Sequence, residues 1–170
     1  MLGGEVRMKS IQQLKDSLDQ EIKLYKAVLT TAKGKTQAIK TAQLKELEEV
    51  IEKEQEYIRA MGAFEKIRRS IFANIAQELN IAQPDSISEL ILHLDDDEGK
   101  ELDDLRTELL KTIKRLADVN ELNEKLIQQN LDFINFNIGL LTSLSDIDSN
   151  YGEKDKGSKK SISSILDMKV

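Results

Sequence analysis

The sequence contains no cysteine and no tryptophan, a single proline and a single histidine, and aromatic residues make up only 4% of it. Without cysteine there can be no disulfide, no thiolate metal site and no cysteine nucleophile, which fits a reducing compartment. With so few aromatics and one proline, the short strands and tight turns of sandwiches and barrels are disfavoured. Long hydrophobic runs are missing too. The most apolar stretch, Leu131 to Leu144, is interrupted by Asp132, Asn135 and Asn137 and is too short to span a bilayer, so no stable membrane insertion is expected. The opening Met1 to Ser10 carries Glu5, Arg7 and Lys9 and no apolar core, and reads as neither a secretory signal nor an anchor. A basic surplus is also absent. Lys and Arg total 25 against 31 Asp and Glu, for a formal charge of −6, which argues against a nucleic-acid partner.

Charge itself is abundant, at 33% of 170 residues, and that length suits one domain or one elongated helical unit with a tail. Ile11, Leu18, Tyr25 and Ala32 recur every seven residues, with Leu14, Ile22, Val28 and Leu29 beside them, as an amphipathic helix requires. The rhythm runs through Gly34, read as a tolerated helix glycine that costs about 1 kcal/mol relative to alanine, the alternative being a turn at Lys33 to Lys35. It changes phase after Ile39, so a break is expected between Lys40 and Gln43. A second helix carries Leu44, Leu47, Ile51, Ile58 and Met61 and ends near Asn80, before Pro84. Ser86-Ile-Ser-Glu89 has the spacing of a capping box, in which the serine accepts from the Glu89 amide and Glu89 reaches back to the Ser86 amide. A short third helix should begin there. The acidic run Asp95 to Glu98 then suits the head of a fourth helix, whose dipole favours negative charge.

That fourth helix has the strongest pattern. Leu102, Leu105, Leu109, Leu116, Val119, Leu126, Phe133, Leu140 and Leu144 follow one heptad frame. Past Asn120 the stripe widens to Leu126-Ile127, Phe133-Ile134 and Leu140-Leu141, flanked by Asn123, Asn130 and Asn137 at steps of seven. Such asparagines can fix register between packed helices, or they can edge a groove that takes an incoming helix. Both readings stay open on the sequence. The expected fold is therefore all-α: an elongated antiparallel bundle or coiled coil of three long helices, about 9–40, 43–80 and 98–144, with one short helix at 86–94. Residues 1–144 would form the bundle. From Ser145 to Ser164 the chain is rich in Ser, Asp, Lys and Gly, so 145–170 is expected to be a flexible tail with a terminal amphipathic segment. From Glu153 onward five Lys face three acids, leaving a net −8 on the rest.

Motifs that would carry chemistry fail on spacing. Gly34-Lys-Thr36 has Leu29 where a phosphate loop needs glycine, and it falls within a helix. Asp146-Ile-Asp148-Ser-Asn150 opens like a calcium loop but has Tyr151 at the sixth place and Gly157 at the twelfth, so weak adventitious cation binding is the most it suggests. His93 has no recognisable acid or base partner and is read as half-buried packing. No catalytic residue, metal site or cofactor is expected.

Two further runs are more specific. Asn120-Glu-Leu-Asn123-Glu-Lys-Leu126-Ile127-Gln-Gln-Asn-Leu131-Asp-Phe133-Ile134, closing with Leu140-Leu141 and Tyr151-Gly152, resembles the C-terminal half of the FlgN family. Ser86-Ile-Ser-Glu89-Leu90-Ile91, the Leu105-Arg106 and Glu108-Leu109 pairs and Glu65-Lys-Ile-Arg68 resemble its middle section. One departure is Glu153-Lys154 after Tyr151-Gly152, where many members turn with Pro and Gly.

The resemblance implies a cytoplasmic bacterial chaperone that binds flagellar hook-associated (hook-filament junction) proteins before export. It would prevent their premature assembly and present them to the flagellar type III export apparatus, without catalysis. It also places client binding in the C-terminal region. The candidate residues are Asn130, Phe133, Ile134, Asn137, Ile138, Leu141, Leu144 and Tyr151 on or after the fourth helix, with Ile162, Ile165, Leu166 and Met168 in the tail. A homodimer is left open. The competing reading is a coiled-coil adaptor that self-associates through the same stripe and has no export client. Membrane-surface attachment by the lysine-bearing tail ranks below both, because Glu153, Asp155 and Asp167 dilute its charge.

Overall fold

A computed structural model describes the backbone from Leu2 to Tyr151 and the side chains of residues 9–147. Four helices account for it: α1 (Leu2–Lys40), α2 (Leu44–Leu79), α3 (Ile87–Ile91) and α4 (Asp96–Tyr151), with no strand among the described residues. The chain divides into two units, Met1–Gln128 and Gln129–Val170.

The helix ends follow local chemistry. α1 closes in a Schellman turn: Gln43 N–H donates to Ala38 O and Ala42 N–H to Ile39 O, with Ala42 at φ 53°. That is the break expected from the phase change, but with alanine in a conformation that favours glycine. α2 ends the same way, with Asn80 left-handed at φ 52° and Ile81 N–H donating to Ala76 O. Ser86 caps α3 by accepting from Glu89 N–H at 3.2 Å. The Glu89 carboxylate, however, accepts from the Asp85 amide at 2.9 Å rather than from that of Ser86. α3 stops at Ile91, and Leu92, His93 and Leu94 follow in three successive i→i−3 turns. His93 is exposed there, not half-buried. Asp95 caps α4 by accepting from Glu98 N–H at 2.9 Å, which gives the acidic run a structural use.

Two helix ends lie beyond the expected boundaries. α1 starts at Leu2 rather than near residue 9, and α4 continues past Leu144 through Tyr151. Extending an established helix needs only one more residue fixed per hydrogen bond, so modest formers such as Ser and Asp can be carried along. Thr142, Ser143 and Ser145 turn their hydroxyls onto the Ile138, Leu140 and Leu141 carbonyls.

Within the first unit, partner residues fix the helix directions. Ser10 meets Glu78, Glu21 meets Arg68, Thr31 meets Tyr57 and Lys35 meets Glu54, so α1 and α2 run antiparallel. Lys15 meets Glu101, Lys26 meets Glu108 and Thr36 meets Asn123, so α1 and α4 run parallel. The main core gathers Ile11, Leu14, Leu18 and Ile22 of α1 with Ile71, Phe72 and Ile75 of α2, Leu90 of α3, and Leu102 and Leu109 of α4. Removing each such side chain from water stabilises the fold by about 1.5–3 kcal/mol before ordering costs. Gly99 lets α3 approach closely, since a Cβ there would lie 3.2 Å from Ile91 Cγ2. A second, thinner cluster follows, built on Val28, Leu29, Ala32 and Leu116. The small side chain at Ala32 leaves less to fill the space between helices there.

Candidate protein-binding surfaces

The thin end of the first-unit core opens into a groove of about 500 Å³ whose lining comes from all three long helices. Its floor is Val28 and Ala32 of α1, and its walls include Tyr57, Ile58 and Met61 of α2 and Leu116 and Ile127 of α4. Tyr25 also lines it, and burial, reinforced by the Glu21 carboxylate, pushes that phenol above its ordinary pKa. Lys35, the one cation among the described lining residues, is held by both carboxylate oxygens of Glu54 at 2.9 and 3.1 Å. Glu124 stands at the rim with its side chain exposed.

Asn123 sits beneath that rim, buried. Its Nδ2 donates to the Ala32 carbonyl at 3.0 Å, and its Oδ1 lies 2.5 Å from the Thr36 hydroxyl. That hydroxyl is also 3.1 Å from Ala32 O, so its single hydrogen serves one acceptor at a time. Asn123 therefore fixes the register of α4 on α1. Asn130 is exposed and Asn137 only partly covered. The structure thus separates three asparagines that their spacing made equivalent. Lys35 and Thr36, from the triplet that mimicked a phosphate loop, are engaged in the same packing.

In the second unit, every described large apolar side chain of α4 is exposed. Leu131, Ile134, Ile138 and Leu141 form one stripe, spaced 3, 4 and 3. Phe133, Phe136, Leu140, Leu144 and Ile147 form another, spaced 3, 4, 4 and 3, with Phe133 and Leu141 each 66% exposed. At 100° per residue, Asn130 and Asn137 fall between the two stripes. From Leu126 to Glu153 there is no Lys or Arg at all, while Asp132, Asp146 and Asp148 are present. Asp146 to Asn150 is helical, so it does not form the loop a calcium motif would need.

Of the residues singled out from the sequence, Asn130, Phe133, Ile134, Ile138, Leu141 and Leu144 are exposed on this stretch, with Asn137 beside them. Tyr151 closes α4, its side chain outside the described set. Ile162, Ile165, Leu166 and Met168 lie outside the described residues. The sequence reading put Leu140 on the apolar stripe but not among the candidate binding residues, and it did not single out Phe136 and Ile147, although their 3-4 spacing was available. It also missed the groove, whose residues are ordinary heptad positions on three separate helices.

The described residues therefore make an all-α scaffold, a helical hairpin joined by a third long helix, with apolar side chains exposed in a groove and along α4. The pattern of the FlgN protein family matches residues 8–159, and the chain belongs to that family, the flagellar export chaperones, which is not a family of enzymes. A protein of Bacillus subtilis (strain 168), YvyG, carried as uncharacterized, is 32% identical over 118 residues, or 69% of this chain and 72% of its own length. No solved structure matches the chain significantly. Among the described residues no helix is long and apolar enough to cross a membrane.

Proposed function

We propose that this chain is a cytoplasmic chaperone that holds flagellar hook-associated proteins before type III export and hands them to the export apparatus. One observation carries the choice of site: α4 from Leu131 to Ile147 exposes two apolar stripes that a monomeric soluble protein has no structural reason to keep. A client's amphipathic helix laid along either stripe would bury several Leu, Ile or Phe side chains. Each would contribute about 1.5–3 kcal/mol before ordering costs, enough in sum for affinity near the micromolar range or better. Asn130 and Asn137, between the stripes, would supply hydrogen bonds to a client backbone. Covering the client's own assembly surface in this way blocks premature polymerisation without any bond-making step by the chaperone.

The test is titration of a purified hook-associated protein from the same organism with the chain and with Phe133→Asp and Leu141→Asp variants. Because both side chains are exposed, the variants should keep the helical signal of the parent while client affinity falls at least tenfold. Unchanged affinity would move the client site elsewhere. A stable oligomer that ignores hook-associated proteins would favour the adaptor reading, in which the same stripes meet a second copy.

A further inference from the structure

The groove of the first unit is a separate feature from the exposed end of α4, and we propose that it is a second docking site, whose occupant is an amphipathic helix with lysine or arginine along its flanks. Three observations converge on that chemistry. The first is shape. The groove lies between α2 and α4 over an α1 floor of Val28 and Ala32, and is open to solvent rather than sealed. The apolar line of its α2 wall continues from Met61 and Ile58 through Ile51 and Leu47 to Leu44, where Leu44 is 73% exposed. At 1.5 Å per residue, Leu44 to Met61 spans about 25 Å, the length of a helix of some five turns. The groove itself takes in α2 from Glu54 to Met61, and the exposed apolar line beyond it lets a helix presenting apolar side chains at i, i+3, i+4 and i+7 cover more of α2 than a compact ligand would reach.

The second observation is that the surface is unusually apolar for a position so close to a packed core. Ile51, Ile58 and Ile127 are exposed where α2 and α4 would otherwise cover one another. The third is charge. Between Leu44 and Glu56, α2 carries Glu46, Glu48, Glu49, Glu52, Glu54 and Glu56 against only Lys45 and Lys53. On the α4 side stand Glu121 and Glu124, and the neighbouring Lys125 is taken by Glu121 at 2.6 Å. Lys35, the only cation among the described lining residues, is already neutralised by Glu54. With the Lys35–Glu54 and Glu121–Lys125 pairs set aside, Glu124 on α4 and the surplus glutamates of α2 still leave both sides net negative, so an acidic helix would be repelled while a basic one would be steered in and held.

The experiment uses the full-length chain and two fluorescent 18-residue amphipathic helical probes that share one leucine face. One has lysine flanks, the other glutamate flanks. The lysine probe should bind at micromolar concentration and weaken at least fivefold between low and high salt, with the glutamate probe at least tenfold weaker throughout. Ile58→Glu should weaken the lysine probe at least tenfold, and Glu124→Lys should narrow the preference between probes. Phe133→Asp should change neither, and both groove substitutions fall on exposed side chains, so helicity should be unchanged. Equal binding of the two probes, or loss with Phe133→Asp but not Ile58→Glu, would overturn the assignment. So would displacement of the probe by a peptide of residues 152–170, which would make the chain's own end the occupant. A concentration-dependent dimer abolished by Ile58→Glu would overturn it in favour of a second copy. Client binding by the distal stripes is measured separately and can hold whichever way the groove responds.

Discussion

The proximal stretch of α4, Asp96 to Gln128, and the distal stretch, Gln129 to Tyr151, have the same period and comparable apolar content, yet opposite fates. Proximally, Leu102, Leu109, Leu116 and Asn123 are buried and define where α4 lies on α1. Distally, Leu131 through Ile147 keep their apolar side chains in water. A heptad pattern therefore says that a helix will form and which face is apolar, while the covering of that face depends on which elements run alongside. The two stretches also differ in charge. Salt bridges Lys15–Glu101 and Lys26–Glu108 tie the proximal part to α1, whereas the distal part has no basic residue with which to make such ties.

The sharpest way to expose this contrast is a matched pair of leucine truncations. Leu109→Ala should lower unfolding stability by about 2–5 kcal/mol, because it empties packed volume, while Leu141→Ala should stay within about 0.5 kcal/mol. Chemical denaturation followed by circular dichroism reads both, and similar losses at the two sites would show that the distal stripe is covered. A smaller effect is expected from Asn123→Ala, which removes the tie to Ala32 and Thr36 and should cost about 1–3 kcal/mol. Asn130→Ala, seven residues on and exposed, should be neutral to folding in the same assay. The smallest effects concern backbone conformation. Gly34 is helical with open space around its Cβ position, so Gly34→Ala should stabilise by about 0.5–1 kcal/mol. Ala42 holds a left-handed turn, so Ala42→Gly should stabilise by a similar amount, about 0.5–1 kcal/mol. Thermal melts resolve both, and a destabilising Gly34→Ala would mean that α1 bends at that glycine.

Much of the fold was legible because its determinants are local. The 3-4 spacing of Ile22, Tyr25, Leu29, Ala32, Thr36 and Ile39 carried α1 through Gly34, and the phase slip after Ile39 placed a break between Lys40 and Gln43, within which the turn lies at Thr41 to Gln43. Asn80, Pro84 and Ser86 marked the ends of the next elements by local chemistry, and the acidic run from Asp95 marked the head of α4 through the helix dipole, its cap emerging only in the structure. What escaped was either cooperative or tertiary. The extra turns before Ser10 and after Leu144 are propagated from a stable helix, which composition does not report. Asn123, Asn130 and Asn137 share a spacing but not a neighbour, since only Asn123 has the Ala32 carbonyl beside it. The groove exists because three helices stand a certain distance apart around small side chains, and no single helix carries that distance in its sequence.

The missing cations of distal α4 have a practical consequence. Trypsin cuts after lysine and arginine, so it has no cleavage point between Lys125 and Lys154 however often that stretch unwinds. A tryptic digest would release Leu126 to Lys154 as one intact fragment and would register an exposed helix as if it were sheltered. Chymotrypsin, cutting at Phe133, Phe136 and the neighbouring leucines, is the protease whose rate should follow the exposure of this region and its occlusion by a bound polypeptide.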